Sequence, residues 1–282
     1  MKPAPFDYVA AHSLEEALGA LERGGEDAKP IAGGQSLVPA LNMRLVRPTL
    51  LVDLNRAGLD GIAVDEVVRI GATVRQATLE RDPHTHPLLR QALPYVGHFV
   101  TRNRGTVGGS LAHADGSAEI PLCLATLGGA VVVEGPSGRR AITPDEFFVT
   151  HYFTTLEPGE LVVESTWPQP AANEGTAFEE LALRAGDYAL AMVAVVLRRI
   201  DGVAREVRIR VGAVTERPTA ASEAEQAVAG APVTASSAHE AGMLAAQSID
   251  PPATIHASTA YLRQLTGTLV ERALLSAWER AA

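Results

Sequence analysis

Two glycine pairs, each followed within two residues by a serine, constrain this chain more than any other feature: AGGQS at residues 32–36 and TVGGS at 106–110. A residue without a Cβ lets backbone N–H groups come close to an anion, and two such turns can hold a pyrophosphate between them. A single Gly-Gly is common in turns and reads as structural. Two in one domain, each after an apolar segment, carry a sharper message. The pattern is not a Rossmann fingerprint, because no GxGxxG follows the first strand of a βαβ unit, and a doubly wound nucleotide fold is disfavoured.

The length of 282 residues and a hydrophobic fraction of 46% suit two modest globular domains. The single cysteine, Cys123, lies in the apolar run IPLCLATL and reads as a buried, inert thiol. It allows no disulfide within the chain, and one thiolate cannot hold an iron–sulfur cluster. The segment MKPAPFDYV has no signal-peptide character and no apolar run reaches bilayer length, so the expectation is a cytoplasmic protein with no membrane span. A formal charge of −9 argues against nucleic acid as a partner. Positive charge for a pyrophosphate must then be local, and Lys29, Arg102 and Arg104 flank the two turns. The alternative, that these are solvated surface charges, stays open.

Along the chain, Phe6 to Ala10 reads as a strand, and Ser13 with Glu16 as a capping box opening a helix to about Arg23. A strand at Pro30 to Ala32 runs into the first glycine turn and a helix from Leu37 to Leu45. Strands at Leu50 to Asp53, Gly61 to Val64 and Val67 to Ala72 precede helices at Arg75 to Arg81 and Pro87 to Tyr95. TRNRGTVGGS reads as a long polar loop, followed by a helix from Ser117 to Leu127, a hairpin around GPSG and a strand from Leu161 to Trp167. PQPAANEG marks a linker. Beyond it, Phe178 to Leu183, Ala189 to Ile200 and Val203 to Val214 form three antiparallel strands, and helices follow at Ser222 to Val228, Ala238 to Ser248 and Ser258 to Glu279. The division expected is residues 1–172 and 173–282, with α+β structure.

KPIAGGQSLVPALNMRLVRPTLLVDLN, RNRGTVGGSLAHADGSAEIP, LEPGELV and RAGDYALA, in this order, resemble the FAD-binding medium subunit of the molybdenum hydroxylases, the group of xanthine dehydrogenase and carbon monoxide dehydrogenase. The resemblance implies a two-part FAD-binding domain of the vanillyl-alcohol oxidase (PCMH) type, then a small C-terminal α+β domain with a three-stranded antiparallel sheet. It also implies a non-covalent FAD. Around its diphosphate would lie Lys29, Ile31, Ala32, Gly33, Gly34, Gln35, Ser36 and Leu37 from one side and Thr106, Gly108, Gly109 and Ser110 from the other. Asp115 and Glu119 would serve the adenosine and ribityl part, Leu161 an apolar position near the flavin, and Arg184 with Tyr188 the isoalloxazine ring; for Tyr188 a simple core role remains as an alternative.

The same resemblance implies an oxidoreductase subunit with no catalytic acid or base and no metal of its own. Molybdopterin would sit on a large partner subunit and two iron–sulfur clusters on a small one, the whole paired as a dimer of heterotrimers. Electrons would pass from the clusters through FAD to NAD, a quinone or dioxygen. Two other readings remain: a stand-alone flavin-dependent reductase or oxidase, and a non-catalytic nucleotide-binding module. His84 and His86, in DPHTHP, lack further ligands for a metal site, and His113 faces either the ligand or a structural hydrogen bond.

Overall fold

The computed structural model describes residues 2–281. The chain opens with β1 (Asp7–Ala10), α1 (Leu14–Gly24), β2 (Ala28–Ile31), α2 (Leu37–Asn42) and β3 (Leu50–Asp53). The strands form a parallel sheet in the order β1-β3-β2. Ser13 caps α1 by accepting the Glu16 N–H at 3.0 Å, while the Glu16 carboxylate reaches past the cap to the His12 N–H at 2.7 Å. The helix lays Ala17, Ala20 and Leu21 on the sheet. This small core continues into Val132, Leu161 and Val163 of the next sheet. The second helix stops at Asn42, short of the expected Leu45, because Arg44 turns left-handed at φ +58°.

Next come β4 (Ile62–Val64), β5 (Val67–Gly71), α3 (Gln76–Leu79), α4 (Pro87–Ala92), α5 (Phe99–Arg102), α6 (Val107–His113), α7 (Glu119–Leu127), β6 (Ala130–Gly135), β7 (Gly138–Ile142), α8 (Pro144–Phe147), β8 (Phe148–Thr150), β9 (Phe153–Thr154) and β10 (Leu161–Pro168). Five strands make an antiparallel sheet in the order β4-β5-β10-β6-β7. Two expectations need correction here. The polar stretch around the second glycine pair is not one long loop: it holds α5 and α6, whose glycines and polar residues hide the helical period. Residues 144–154, given no element from sequence, carry α8 and the short β8/β9 pair.

Every residue of α7 is buried. A helix apolar all round must be covered on all sides. It is: the five-stranded sheet lies on one side, and Met192, Ala194 and Val196 of the C-terminal sheet close the other.

The C-terminal part holds β11 (Glu174–Ala182), β12 (Ala189–Ile200), β13 (Val203–Gly212) and β14 (Thr219–Ala220), then α9 (Ser222–Val228), α10 (Ala235–Gln247) and α11 (Thr259–Arg280). The sheet is antiparallel in the order β11-β12-β13-β14, so it has a two-residue fourth strand beyond the three expected. Alternate residues Ala191, Val193, Val195 and Leu197 of β12 face the three helices, while Met192, Ala194 and Val196 face α7. Burial on both faces explains its unbroken apolar run.

Gly108 marks where α6 meets the sheet: its N–H donates to the Ala72 carbonyl at 2.9 Å, and a Cβ there would lie 2.5 Å from Ala72 Cβ. Gly108→Ala is therefore expected to destabilise the ligand-free chain by about 1–3 kcal/mol through overpacking. Gly109→Ala meets only the movable Thr106 hydroxyl, at 2.7 Å, and should cost far less. Thermal unfolding of the two variants beside wild type checks this; equal melting temperatures would refute it.

Candidate functional site

The two glycine turns come from different sheets and meet. The first follows β2, and the second forms the N-cap and first turn of α6. A Cβ on Gly33 would sit 2.3 Å from the Arg104 carbonyl oxygen, so backbone packs on backbone at this point. Gly34 has φ +73°, a conformation that costs glycine little and other residues much. The four glycines thus have different reasons to be there. Gly33 and Gly108 permit close approach, Gly34 permits a left-handed turn, and Gly109, whose φ is not positive, stands exposed at the start of α6.

Between the turns runs a cleft of about 490 Å³. That is the size of ordinary small-molecule sites. Of the residues singled out from sequence, Ala32, Gly33, Gly34, Gln35, Ser36, Leu37, Thr106, Gly109, Ser110, Asp115, Glu119 and Tyr188 line it. Five do not. Lys29 is exposed on β2. Ile31 packs beneath Gly34, whose missing Cβ would lie 3.5 Å from its Cδ1. Gly108 is used against Ala72. Leu161, placed near the flavin by resemblance, is buried on β10 in the core shared with α1 and does not line the cleft. Arg184 is exposed at the start of the 183–188 turn, which reaches the cleft through Gly186, Asp187 and Tyr188 instead.

The two turns use their amides differently. Among the described residues, the N–H groups of Gly33, Gly34, Gln35 and Ser36 have no acceptor within the chain, and all four residues line the cleft. In the second turn the Val107 and Gly108 amides donate to Val74 and Ala72 of the β5 side, and those of Gly109 and Ser110 donate to the Thr106 hydroxyl and carbonyl. Among the described residues the first turn therefore offers four consecutive free donors, whereas in the second only the Thr106 N–H is left without an acceptor. Gly33 is buried and Gly34 half-buried, so leaving their amides unpaired is costly unless a ligand or water answers them, while Gln35 and Ser36 are exposed.

No lysine or arginine lines the cleft. The sequence expectation of local cations there is corrected by Arg102, whose guanidinium is held by Glu80 at 3.0 Å and by the carbonyls of Val96 and Gly97 at 3.1 and 3.0 Å. An anion in this cleft would be met by amide dipoles rather than by charge. Sequence reasoning missed Gln76, Val96, Gly97 and Thr101, which line the wall between the turns and the C-terminal part. Nothing in their types or spacing marks them, because they converge only through tertiary packing.

The other end of the cleft is acidic and aromatic. Asp115 accepts the Ser117 N–H at 2.9 Å and the Tyr152 hydroxyl at 3.3 Å. The His113 ring lies 4.9 Å from that of Tyr152, and burial pushes its pKa down. Glu119, at the first turn of α7, is driven up to about 7, first by burial and further by the Asp115 charge. Across the domain joint, burial and the Glu119 charge drive Glu180 on β11 up to about 8, and its Oε2 is buried with no partner.

These raised values fix a pH dependence. Below the ordinary carboxylate value near 4.5 both groups are neutral in folded and unfolded chain, and their contribution to stability is fully present. As pH climbs through about 7 and 8 the folded chain must ionise buried groups, and that stability is lost. Glu180→Gln is expected to flatten the decline of ligand-free stability between pH 5 and 8, gaining on the order of 1–3 kcal/mol over wild type at pH 8 and little at pH 5. Urea unfolding at the two pH values reads this; parallel curves would refute it.

Residues 4–170 match the family described as FAD binding domain in molybdopterin dehydrogenase, and residues 176–277 match the CO dehydrogenase flavoprotein C-terminal domain. The 6-hydroxypseudooxynicotine dehydrogenase complex subunit alpha of Paenarthrobacter nicotinovorans is 42% identical over 100% of this chain and 97% of its own. A chain of the carbon monoxide dehydrogenase of Hydrogenophaga pseudoflava superposes with a TM-score of 0.97 at 36% identity, covering 100% of both chains. One from quinoline 2-oxidoreductase of Pseudomonas putida 86 gives 0.96 at 39%, covering 100% of this chain and 99% of its own. With both of its parts matched in order and a cleft built on two glycine turns, the chain belongs to the FAD-binding medium subunits of the molybdenum hydroxylases.

Proposed function

We propose that this subunit holds one non-covalent FAD in the cleft and relays electrons through it, from iron–sulfur clusters on a small partner subunit to an external acceptor such as NAD, a quinone or dioxygen. The organic substrate would be oxidised at molybdopterin on a large partner subunit, in a dimer of heterotrimers in the cytoplasm. The observation that carries the binding part is the set of four unpaired amides at Gly33, Gly34, Gln35 and Ser36, which suits a diphosphate in a cleft without cations. Bound there, FAD supplies a carrier that accepts electrons singly and delivers them as a pair.

The chain's own residues would bind and orient. The first turn donates its amides. Thr106, Gly109 and Ser110 close the opposite wall, Gly109 by its lack of a side chain and Ser110 by its hydroxyl. Asp115 and Glu119 accept hydrogen bonds from the sugar-like part of the ligand, and Tyr188, 74% exposed, stands at the rim where the C-terminal part meets the cleft. Cys123 is fully buried with its thiol pKa pushed well up, so it takes no part in electron transfer.

The relatives described above are named for 6-hydroxypseudooxynicotine, carbon monoxide and quinoline, and this range supports placing the substrate pocket on another chain.

Acid precipitation of the purified subunit is expected to release about one FAD per chain into solution, because no histidine or cysteine in the cleft is set to form a flavin bond. Pigment remaining on the precipitate would overturn this. Gly34→Val should cut flavin content to about a tenth with far-UV circular dichroism unchanged, since its left-handed turn tolerates no β-branched residue. Co-expression with neighbouring genes should yield a larger complex containing molybdenum and iron. A persistent monomer that oxidises an organic substrate at full rate would refute the relay.

A further inference from the structure

We propose that Asn55 and Arg75, neither of which lines the cleft, form a latch that sets the distance between the two glycine turns, and that they are positioning residues for the diphosphate of the bound dinucleotide. The proposal rests on the FAD reading above. It starts from a structural problem: the first turn is carried by the parallel sheet and its core, the second by the five-stranded sheet and α6, so each turn is held by a different body of packing. A ligand gripped from both sides needs those bodies fixed relative to one another within a fraction of an ångström.

A continuous chain of hydrogen bonds spans the gap. At the end of β3, Asp53 accepts the Asn55 backbone N–H at 2.9 Å and also the Asn55 side-chain amide. The same side-chain nitrogen donates to the Ala32 carbonyl at 3.0 Å, at the base of the first turn. The Asn55 carboxamide oxygen accepts one arm of the Arg75 guanidinium. The other arm donates to the Arg104 carbonyl at 2.6 Å, and the Gln76 N–H donates to the Gly105 carbonyl at 3.0 Å. The Arg104 carbonyl is the atom on which Gly33 rests, with only 2.3 Å to where a Cβ would be. One backbone oxygen therefore receives the latch from one side and the first turn from the other.

The side-chain types fit this task and few others do. Asn55 must donate to two acceptors and accept from one donor, which a carboxamide does and a carboxylate cannot. Arg75 holds two carbonyl-type oxygens at once in the fixed geometry of a planar fork, which an ammonium on a flexible stem reproduces only in part. The guanidinium is placed there against opposition, half-buried and beside the Arg104 charge, with Asp53 and Asp60 favouring it. A surface arginine with no task would turn to solvent.

The test is FAD affinity of the deflavinated subunit, followed by flavin fluorescence quenching, for wild type, Asn55→Ala, Arg75→Ala, Arg75→Lys and the Asn55→Ala/Arg75→Ala double variant. Each alanine variant is expected to weaken binding about tenfold, the cost of a half-buried charge-assisted hydrogen bond. The double variant should lose no more than the worse single one, because either change breaks the same chain. Arg75→Lys should recover part of the loss. The unfolding midpoint of the ligand-free variants should stay close to wild type, which separates positioning from general stability. Affinities within twofold of wild type, losses that add in the double variant, or losses that track the ligand-free midpoint would overturn the latch. A wild-type chain that takes up no FAD would instead overturn the reading of the cleft itself, so the two failures are distinct.

Discussion

The site depends on one contact, the backbone of Gly33 lying against the carbonyl of Arg104. At 2.3 Å from oxygen to where a Cβ would stand, no side chain fits between the turns, and the parallel sheet can close on the antiparallel one only because residue 33 has none. Hydrophobic burial brings the two bodies together, through Val132, Leu161 and Val163 packing under α1, but burial has no direction and does not set the last half ångström. That is left to backbone contact and to the polar chain through Asn55 and Arg75. The consequence is a first turn whose amides stay unspent while those of Val107 to Ser110 opposite are paired.

This explains why a cleft for an anion in an acidic protein needs no cation. A charged side chain would have to be desolvated in the same narrow space as the ligand, whereas amides held rigid by the turn are already oriented and carry no net charge to neutralise. The second turn makes the opposite use of its amides. It donates them to Val74, Ala72 and Thr106 and so locks α6 to the sheet as a firm wall. One turn leaves its amides free and the other spends them on support, although their sequences look like echoes.

That difference marks how far the sequence could be read. The positions of both turns, the main strands and the C-terminal helices were legible, because glycine pairs and apolar periods are local signals. The separate reasons for Gly33, Gly34, Gly108 and Gly109 were not, since Gly33 and Gly108 depend on what another segment brings near, Gly34 on its own φ and Gly109 on exposure at the start of its helix. Helix α6 was hidden for the same reason: its glycines and its single buried stripe read as loop until the sheet beneath them is in place. Leu161 and Arg184 were carried over on motif position alone. A strand residue points to one of two faces and a turn residue in any direction, so matching position does not fix which side chain meets the ligand. Asn55 and Arg75 sat in plain view, 20 residues apart, with nothing in either type to couple them.

The two ends of the cleft also differ in what holds them. The glycine end lies wholly within residues 2–168, between two sheets joined by backbone contacts. The Tyr188 end is completed by the C-terminal part, through a turn in which Gly186, at φ +83°, lets the chain pass over His98. Under that joint sit Glu119 and Glu180, one from each part, both raised first by burial, with the Asp115 charge adding to Glu119 and the Glu119 charge adding to Glu180. Ionising either places charge where the parts meet, with Glu180 Oε2 unpartnered and no basic side chain paired with it. Protonation therefore bears on the rim end of the cleft and leaves the diphosphate end, which contains no titratable side chain, unmoved. On the proposed reading, a cleft built this way would grip the dinucleotide through geometry alone and let proton balance act only at the end that the C-terminal part completes.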